Sequence, residues 1–132
     1  GDYHHPEYEE AMMAFYTQFV CRLDPWPESL ERSLNNLMSN PASYEAIQGP
    51  NEFTITGNLK DWDRVNRLAE IMCPTLITCG RYDELGPACA ETLHGGIPNS
   101  EMHIFERSAH VAHLEETESY LRLVRDFLDR IE

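Results

Sequence analysis

An aspartate and a histidine stand out for the chemistry that they could do together. Asp83 lies in Gly80-Arg81-Tyr82-Asp83-Glu84 and His110 in Arg107-Ser108-Ala109-His110, each just past a short strand-like run. A carboxylate beside an imidazole fixes the ring tautomer and stabilises the imidazolium formed when the ring takes a proton from a nucleophile. Alone, Asp83 reads as a turn or helix-cap carboxylate and His110 as a surface-loop histidine. Acid first, histidine second, at the ends of successive strands, favours the catalytic reading. The nucleophile is what the chain lacks. Ser29, Ser33, Ser39, Ser43, Ser100, Ser108 and Ser119 lie in helical or loop contexts, and none sits in a G-x-S-x-G turn. His110-x-x-His113-x-Glu115 departs from the H-E-x-x-H spacing that puts two imidazoles on one helix face, so neither a metal nor another cofactor is expected.

The elements that must position this pair fall into two textures. Residues 7–23 carry Met12, Phe15, Tyr16, Phe19, Val20 and Leu23 at helical spacing, and Asp24-Pro25 stops them. Pro27 opens a second helix to about Met38, with Leu30, Leu34 and Leu37 on one side. Residues 41–57 read as loop or short irregular elements, and 61–72 as a third helix with Trp62, Val65, Leu68, Ala69 and Met72 inward. At Pro74 the pattern changes. Thr75–Cys79 is a near-continuous β run ending in Gly80, as in a strand buried on both faces of a parallel sheet. Gly86-Pro87 opens a helix to about Leu93, closed by Gly95-Gly96. Glu101–Glu106 is a second strand, and Thr117–Ile131 a helix with Tyr120, Leu121, Val124, Phe127, Leu128 and Ile131 on one stripe. Strand–helix–strand–helix is the signature of an α/β fold, whose sites lie at the carboxyl edge of the sheet. Two strands leave open edges and an uncovered face, so the chain is expected to be the C-terminal part of something larger.

Composition bounds the setting. The 132 residues hold 10 Lys and Arg against 23 Asp and Glu, a formal net charge of −13, which argues against nucleic acid as a partner. Hydrophobic residues make up 42%, too many for intrinsic disorder, and no apolar run approaches the roughly 20 residues of a membrane span. The start is polar, without an initiator Met or a signal-peptide pattern, which fits processing or a chain cut out of something longer. His4-His5 reads as a disordered end or a helix-start feature. Cys21, Cys73, Cys79 and Cys89 form no C-x-x-C pair. Cys73 and Cys79 read as reduced core residues of a cytoplasmic protein, and Trp26 and Trp62 as packing residues.

Several segments together carry a resemblance. Gln48-Gly49-Pro50-Asn51-Glu52-Phe53, Gly57-Asn58-Leu59-Lys60-Asp61-Trp62-Asp63, Gly80-Arg81-Tyr82-Asp83-Glu84 and Phe105-Glu106-Arg107-Ser108-Ala109-His110-Val111-Ala112-His113-Leu114-Glu115 resemble the proline iminopeptidases, α/β-hydrolase serine peptidases that release an N-terminal residue, preferably proline. The match runs over most of residues 44–128, and residues 1–43 look like helices of that family's cap. The resemblance implies residues 1–56 as part of a helical cap and 57–132 as the C-terminal part of the hydrolase domain. It implies Asp83 as the triad acid, His110 as the base, and Glu52 and Glu84 as the carboxylates that receive the substrate's free amino terminus. Carboxylates suit an ammonium group, although a solvated surface role stays open for either glutamate. It also implies an upstream polypeptide supplying the serine elbow and oxyanion hole, and a small peptide or amino-acid amide as substrate. An amidase or esterase of the same fold and a non-catalytic fragment are the competing readings.

Overall fold

In the computed structural model, which describes residues 5–131, the second half of the chain is a parallel two-stranded sheet with its crossover helix. Strand β1 (Thr75–Gly80) pairs with β2 (Ser100–Phe105) in the register Thr75↔Ser100 through Gly80↔Phe105. The crossover carries α4 (Gly86–Gly96), and α5 (Ala112–Glu115) and α6 (Thr117–Ile131) follow β2. Leu68, Ile77, Cys79, Ala90 and Ile97 form the buried cluster between β1 and α4, with Met102 of β2 packed against it. A parallel register fixes the placement of the loops: both strands end at the same edge, so the segments after Gly80 and Phe105 meet there.

Gly80 has to be glycine. A Cβ at this position would stand 2.0 Å from the Ala109 carbonyl oxygen, so the absent side chain lets the loop before His110 lie against the end of β1.

The first half is helical: α1 (Pro6–Phe19), α2 (Glu28–Ser39) and α3 (Ala42–Ile47). His5 caps α1, its Nδ1 accepting the Glu7 N–H at 3.3 Å; His4 lies outside the described residues. Helix α1 stops at Phe19, short of the expected Leu23. The carbonyls of Phe19 and Val20 are taken by the N–H groups of Glu84 and His110 at 3.1 Å each, so they accept from the loops after β1 and β2. The segment expected to be irregular contains α3 and then a tight turn in which Asn51 bridges to Thr54. Gly49 enters that turn at φ +132°, a backbone region that side chains avoid.

The expected helix over 61–72 is corrected. The structure has a 3-10 helix at Val65–Glu70 only, with the Asp63 carboxylate accepting the Val65 N–H at 2.8 Å to start it. Of the inward positions only Leu68 is buried; Trp62, Val65 and Met72 are exposed, and Ala69 with them. The periodicity had one hydrophobic partner, the β1–α4 layer, and a short 3-10 helix that buries Leu68 satisfies it. Cys73 is likewise exposed, against expectation, because the chain reaches the sheet only at Thr75; Cys21 and Cys79 are buried. Trp26 does pack, its Nε1 donating to the Cys21 carbonyl at 3.1 Å. Of the α6 stripe, Phe127 is buried, while Leu121, Leu128 and Ile131 are each 45% exposed. The described sheet is too narrow to cover them.

Candidate active site

Asp83 sits on the loop between β1 and α4, and His110 on the loop between β2 and α5. The His110 Nδ1–H donates to Asp83 Oδ1 at 3.1 Å. The same oxygen accepts the Leu85 N–H at 2.9 Å, so the carboxylate is anchored on its own loop before it meets the ring. Asp83 is nearly covered, at 10% side-chain exposure, whereas the imidazole is 43% exposed. Among the described residues nothing bonds His110 Nε2, which leaves that nitrogen to face a reacting group. Burial raises the Asp83 pKa, but the bonds from His110 and Leu85 outweigh it and hold the carboxyl below the usual range. His110 moves up: the bond to Asp83 raises it against burial, and the charges of Asp83, Glu84 and Glu52 add to the rise.

Glu84 is drawn to the same ring from one residue along. Its backbone N–H is fixed on the Phe19 carbonyl, and its Oε1 stands 3.9 Å from His110 Nδ1 at 14% side-chain exposure. Burial lifts its pKa above the ordinary glutamate value; His110 opposes this, and Glu52 and Asp83 add to it. Glu52 arrives from the Gly49–Thr54 turn, where the Asn51 side chain accepts the Phe53 N–H at 3.0 Å and keeps the turn closed. Tyr44 on α3 donates its hydroxyl to Glu52 Oε1 at 2.7 Å. Burial and that bond push the Tyr44 phenol well up. Tyr16 on α1 is raised to about 12, first by burial and then by the charges of Glu52 and Glu84. Phe15 stands between Phe19 and Phe53, with ring centroids 4.9 Å and 5.0 Å away. The result is a negatively charged corner walled by aromatic rings, with one imidazole in it.

All four residues singled out in the sequence therefore come to one region: Asp83 and Glu84 in contact range of His110, and Glu52 within reach of its charge. Tyr16 and Tyr44 were not singled out for the site: Tyr16 sits at helical spacing and looks like packing, Tyr44 lies in a segment that reads as irregular, and only the fold brings the Tyr44 hydroxyl to a carboxylate and Tyr16 near its charge. Nor did the sequence distinguish the supports of the histidine loop. Ser108, fully buried, donates its hydroxyl to Glu116 Oε2 at 2.7 Å, and Arg107 N–H bonds the same oxygen at 3.0 Å. Across the two loops, Arg81 N–H bonds the Phe105 carbonyl at 2.9 Å and Tyr82 N–H the Ser108 carbonyl at 3.0 Å. No described serine hydroxyl reaches His110, and the described residues contain no group of three or more His, Cys, Asp or Glu side chains that could hold a metal ion.

Chemically this arrangement can accept a proton at Nε2 and can hold a cation against paired carboxylates. No family model matches the chain. It is 42% identical over 131 residues to a proline iminopeptidase of Saccharolobus solfataricus, covering 99% of this chain and 42% of that protein. Among solved structures it superposes on VinJ with a TM-score of 0.92 at 35% identity, over 98% of this chain and 44% of that one. It superposes on the proline iminopeptidase of Mycobacterium smegmatis with a TM-score of 0.90 at 34% identity, over 97% and 43%. In sequence and fold alike, the chain is similar to the C-terminal part of α/β-hydrolases of the proline iminopeptidase kind, and it spans less than half the length of the relatives that it matches.

Proposed function

We propose that this chain supplies the acid, the base and the amine-binding carboxylates of a serine aminopeptidase of the proline iminopeptidase type. An upstream polypeptide or segment supplies the nucleophilic serine and the oxyanion hole. The observation that carries the proposal is the His110–Asp83 bond at 3.1 Å, made through Nδ1 with Nε2 left open. In that geometry Nε2 takes the proton from the serine hydroxyl as it attacks the scissile carbonyl. The ring then returns the proton to the departing amine, and water repeats the sequence on the acyl-enzyme. The substrate's amino terminus enters the corner between Glu52 and Glu84. An N-terminal proline is a secondary ammonium with two N–H groups, one for each carboxylate. Its positive charge opposes the burial, and the smaller repulsion from Glu52 and Asp83, that together lift Glu84.

On this reading the chain by itself is not catalytic, because the described residues place no serine at His110. Its substrate is a small peptide or amino-acid amide with a free amino terminus. Its four unpaired cysteines fit a reducing, cytoplasmic setting; no described helix is long and apolar enough to cross a membrane. The test is to purify the protein with whatever co-purifies, identify every polypeptide by mass spectrometry, and assay release of proline from a prolyl anilide. Turnover that depends on a second segment carrying a serine, and that an acyl cap on the proline nitrogen abolishes, is the expected result. Equal turnover of free and capped substrates would replace the aminopeptidase with a general amidase or esterase. Absence of turnover in the complete assembly would leave a binding role.

A further inference from the structure

The backbone that carries His110 makes little regular structure of its own, so its N–H groups show what holds it. Arg107 N–H goes to the Glu116 carboxylate and Ala109 N–H to Glu115 Oε2 at 2.8 Å. Ser108 and His110 N–H go to the carbonyls of Phe105 and Val20. Glu115 has a second attachment: its Oε1 accepts the Arg22 N–H at 2.7 Å. A closed ring follows. His110 bonds Val20, the chain runs from Val20 to Arg22, Arg22 bonds Glu115, and Glu115 bonds Ala109, the neighbour of His110. Cys21 and Ala109, inside this ring, are both fully buried, so water does not substitute readily at the Ala109 N–H, whereas the Arg22 bond lies at an exposed position and closes the ring from outside.

We propose that Glu115 is a positioning residue for His110: by bridging the Ala109 and Arg22 N–H groups it sets the imidazole against Asp83 and ties that setting to the end of α1. This rests on the reading of Asp83 and His110 as the working pair. A carboxylate is suited to the task because it accepts at both oxygens. The amide of Glu115→Gln has the same size but offers one oxygen and an NH2. One backbone donor would then face another donor, while the fold keeps its volume. Glu52 and Glu84 do not bond Glu115, so substrate amine binding stays outside the ring.

The test uses the intact protein labelled at histidine, with the imidazole titration followed by NMR and His110 assigned from His110→Gln. The charges that face this ring are Asp83, Glu84 and Glu52, and all three remain in the variant. In the unsubstituted protein His110 should titrate above the ordinary imidazole value, as its bond to Asp83 requires. Glu115→Gln should bring it back towards that value and lower kcat by about ten- to a hundred-fold, the order expected of a misplaced catalytic group. KM should stay within about two-fold, because the amine site is intact. Glu101→Gln, which removes an exposed pair with Arg130, should change neither. A folded Glu115→Gln protein with an unaltered His110 titration and kcat overturns the role of Glu115. A His110 that titrates ordinarily in the unsubstituted protein instead overturns the Asp83–His110 pairing, and the proposal with it. Amide hydrogen exchange covers the case in which the variant does not fold. Slow exchange at both Ala109 and Arg22 in the unsubstituted protein is required, and fast exchange at either overturns the bridge.

Discussion

Asp83, His110, Glu52 and Glu84 differ in what each substitution should cost. Asp83→Asn keeps the shape but no longer holds the imidazole in the working tautomer, so turnover should fall on the order of 10⁴-fold by analogy with serine-protease triads. The pH dependence has a definite sign. A general base works as neutral imidazole, and the His110 pKa is raised by its bond to Asp83. The acid limb of kcat/KM should therefore lie above the ordinary histidine value of about 6.5 and move down in any variant that loosens the pair. The same shifts bear on stability. The depressed carboxyl of Asp83 contributes above its unfolded value and is lost as pH falls through its folded one. The raised imidazole contributes fully below its unfolded value and is lost as pH rises through its folded one. The pair thus stabilises most between about pH 4 and pH 6.5. Glu52→Gln should reduce efficiency by about ten- to a hundred-fold on substrates with a free amino terminus, the worth of one charge-assisted hydrogen bond. It should hardly affect a substrate whose amine is acylated, and equal loss on both would assign Glu52 to the turn rather than to the amine.

At the scale of elements, the end of α1 and the two loops at the carboxyl edge of the sheet form one unit. The carbonyls of Phe19 and Val20 hold the backbones of Glu84 and His110, and Gly80 lets the loops close on β1. Gly80→Ala should overpack this point, because the new Cβ would stand 2.0 Å from a backbone oxygen rather than a movable side chain. A loss of about 1–3 kcal/mol is expected from overpacking of this kind, read as a lower denaturant midpoint together with reduced turnover. Unchanged stability would mean that the histidine loop moves aside freely, contrary to its several backbone anchors.

At the scale of the whole molecule, the described sheet has two strands, so each presents a row of unpaired backbone groups to its open side. Large apolar residues are exposed as well, among them Leu121, Leu128 and Ile131 along α6. The chain purified by itself should therefore associate with rising concentration, and sedimentation should show species heavier than 15.2 kDa. A monodisperse monomer that unfolds cooperatively would show that these edges and faces need no cover. An upstream polypeptide of the kind proposed above should suppress the association when added.

Read alone, the sequence determined the local and the chemical. The near-continuous β run of Thr75–Cys79, the strand-like Glu101–Glu106 and their glycine and proline stops placed β1 and β2 within a residue of where they lie, and the stripe of α6 placed that helix, because these signals come from neighbours along the chain. The types and order of Asp83 and His110 suggested acid and base, since few other residues do that work. Tertiary structure decided the rest. Residues 61–72 carry helical periodicity yet keep only a six-residue 3-10 helix, because only Leu68 finds a surface to bury against. Helix α1 ends at Phe19 rather than Leu23, because its last carbonyls bond segments more than 60 residues away in the chain. Glu115 looks in sequence like one more acid at a helix end, and its two backbone partners, Arg22 and Ala109, become visible only when the chain has folded. A hydrogen bond depends on distance in space, and spacing along the chain reports that distance only inside one helix, one strand or one turn.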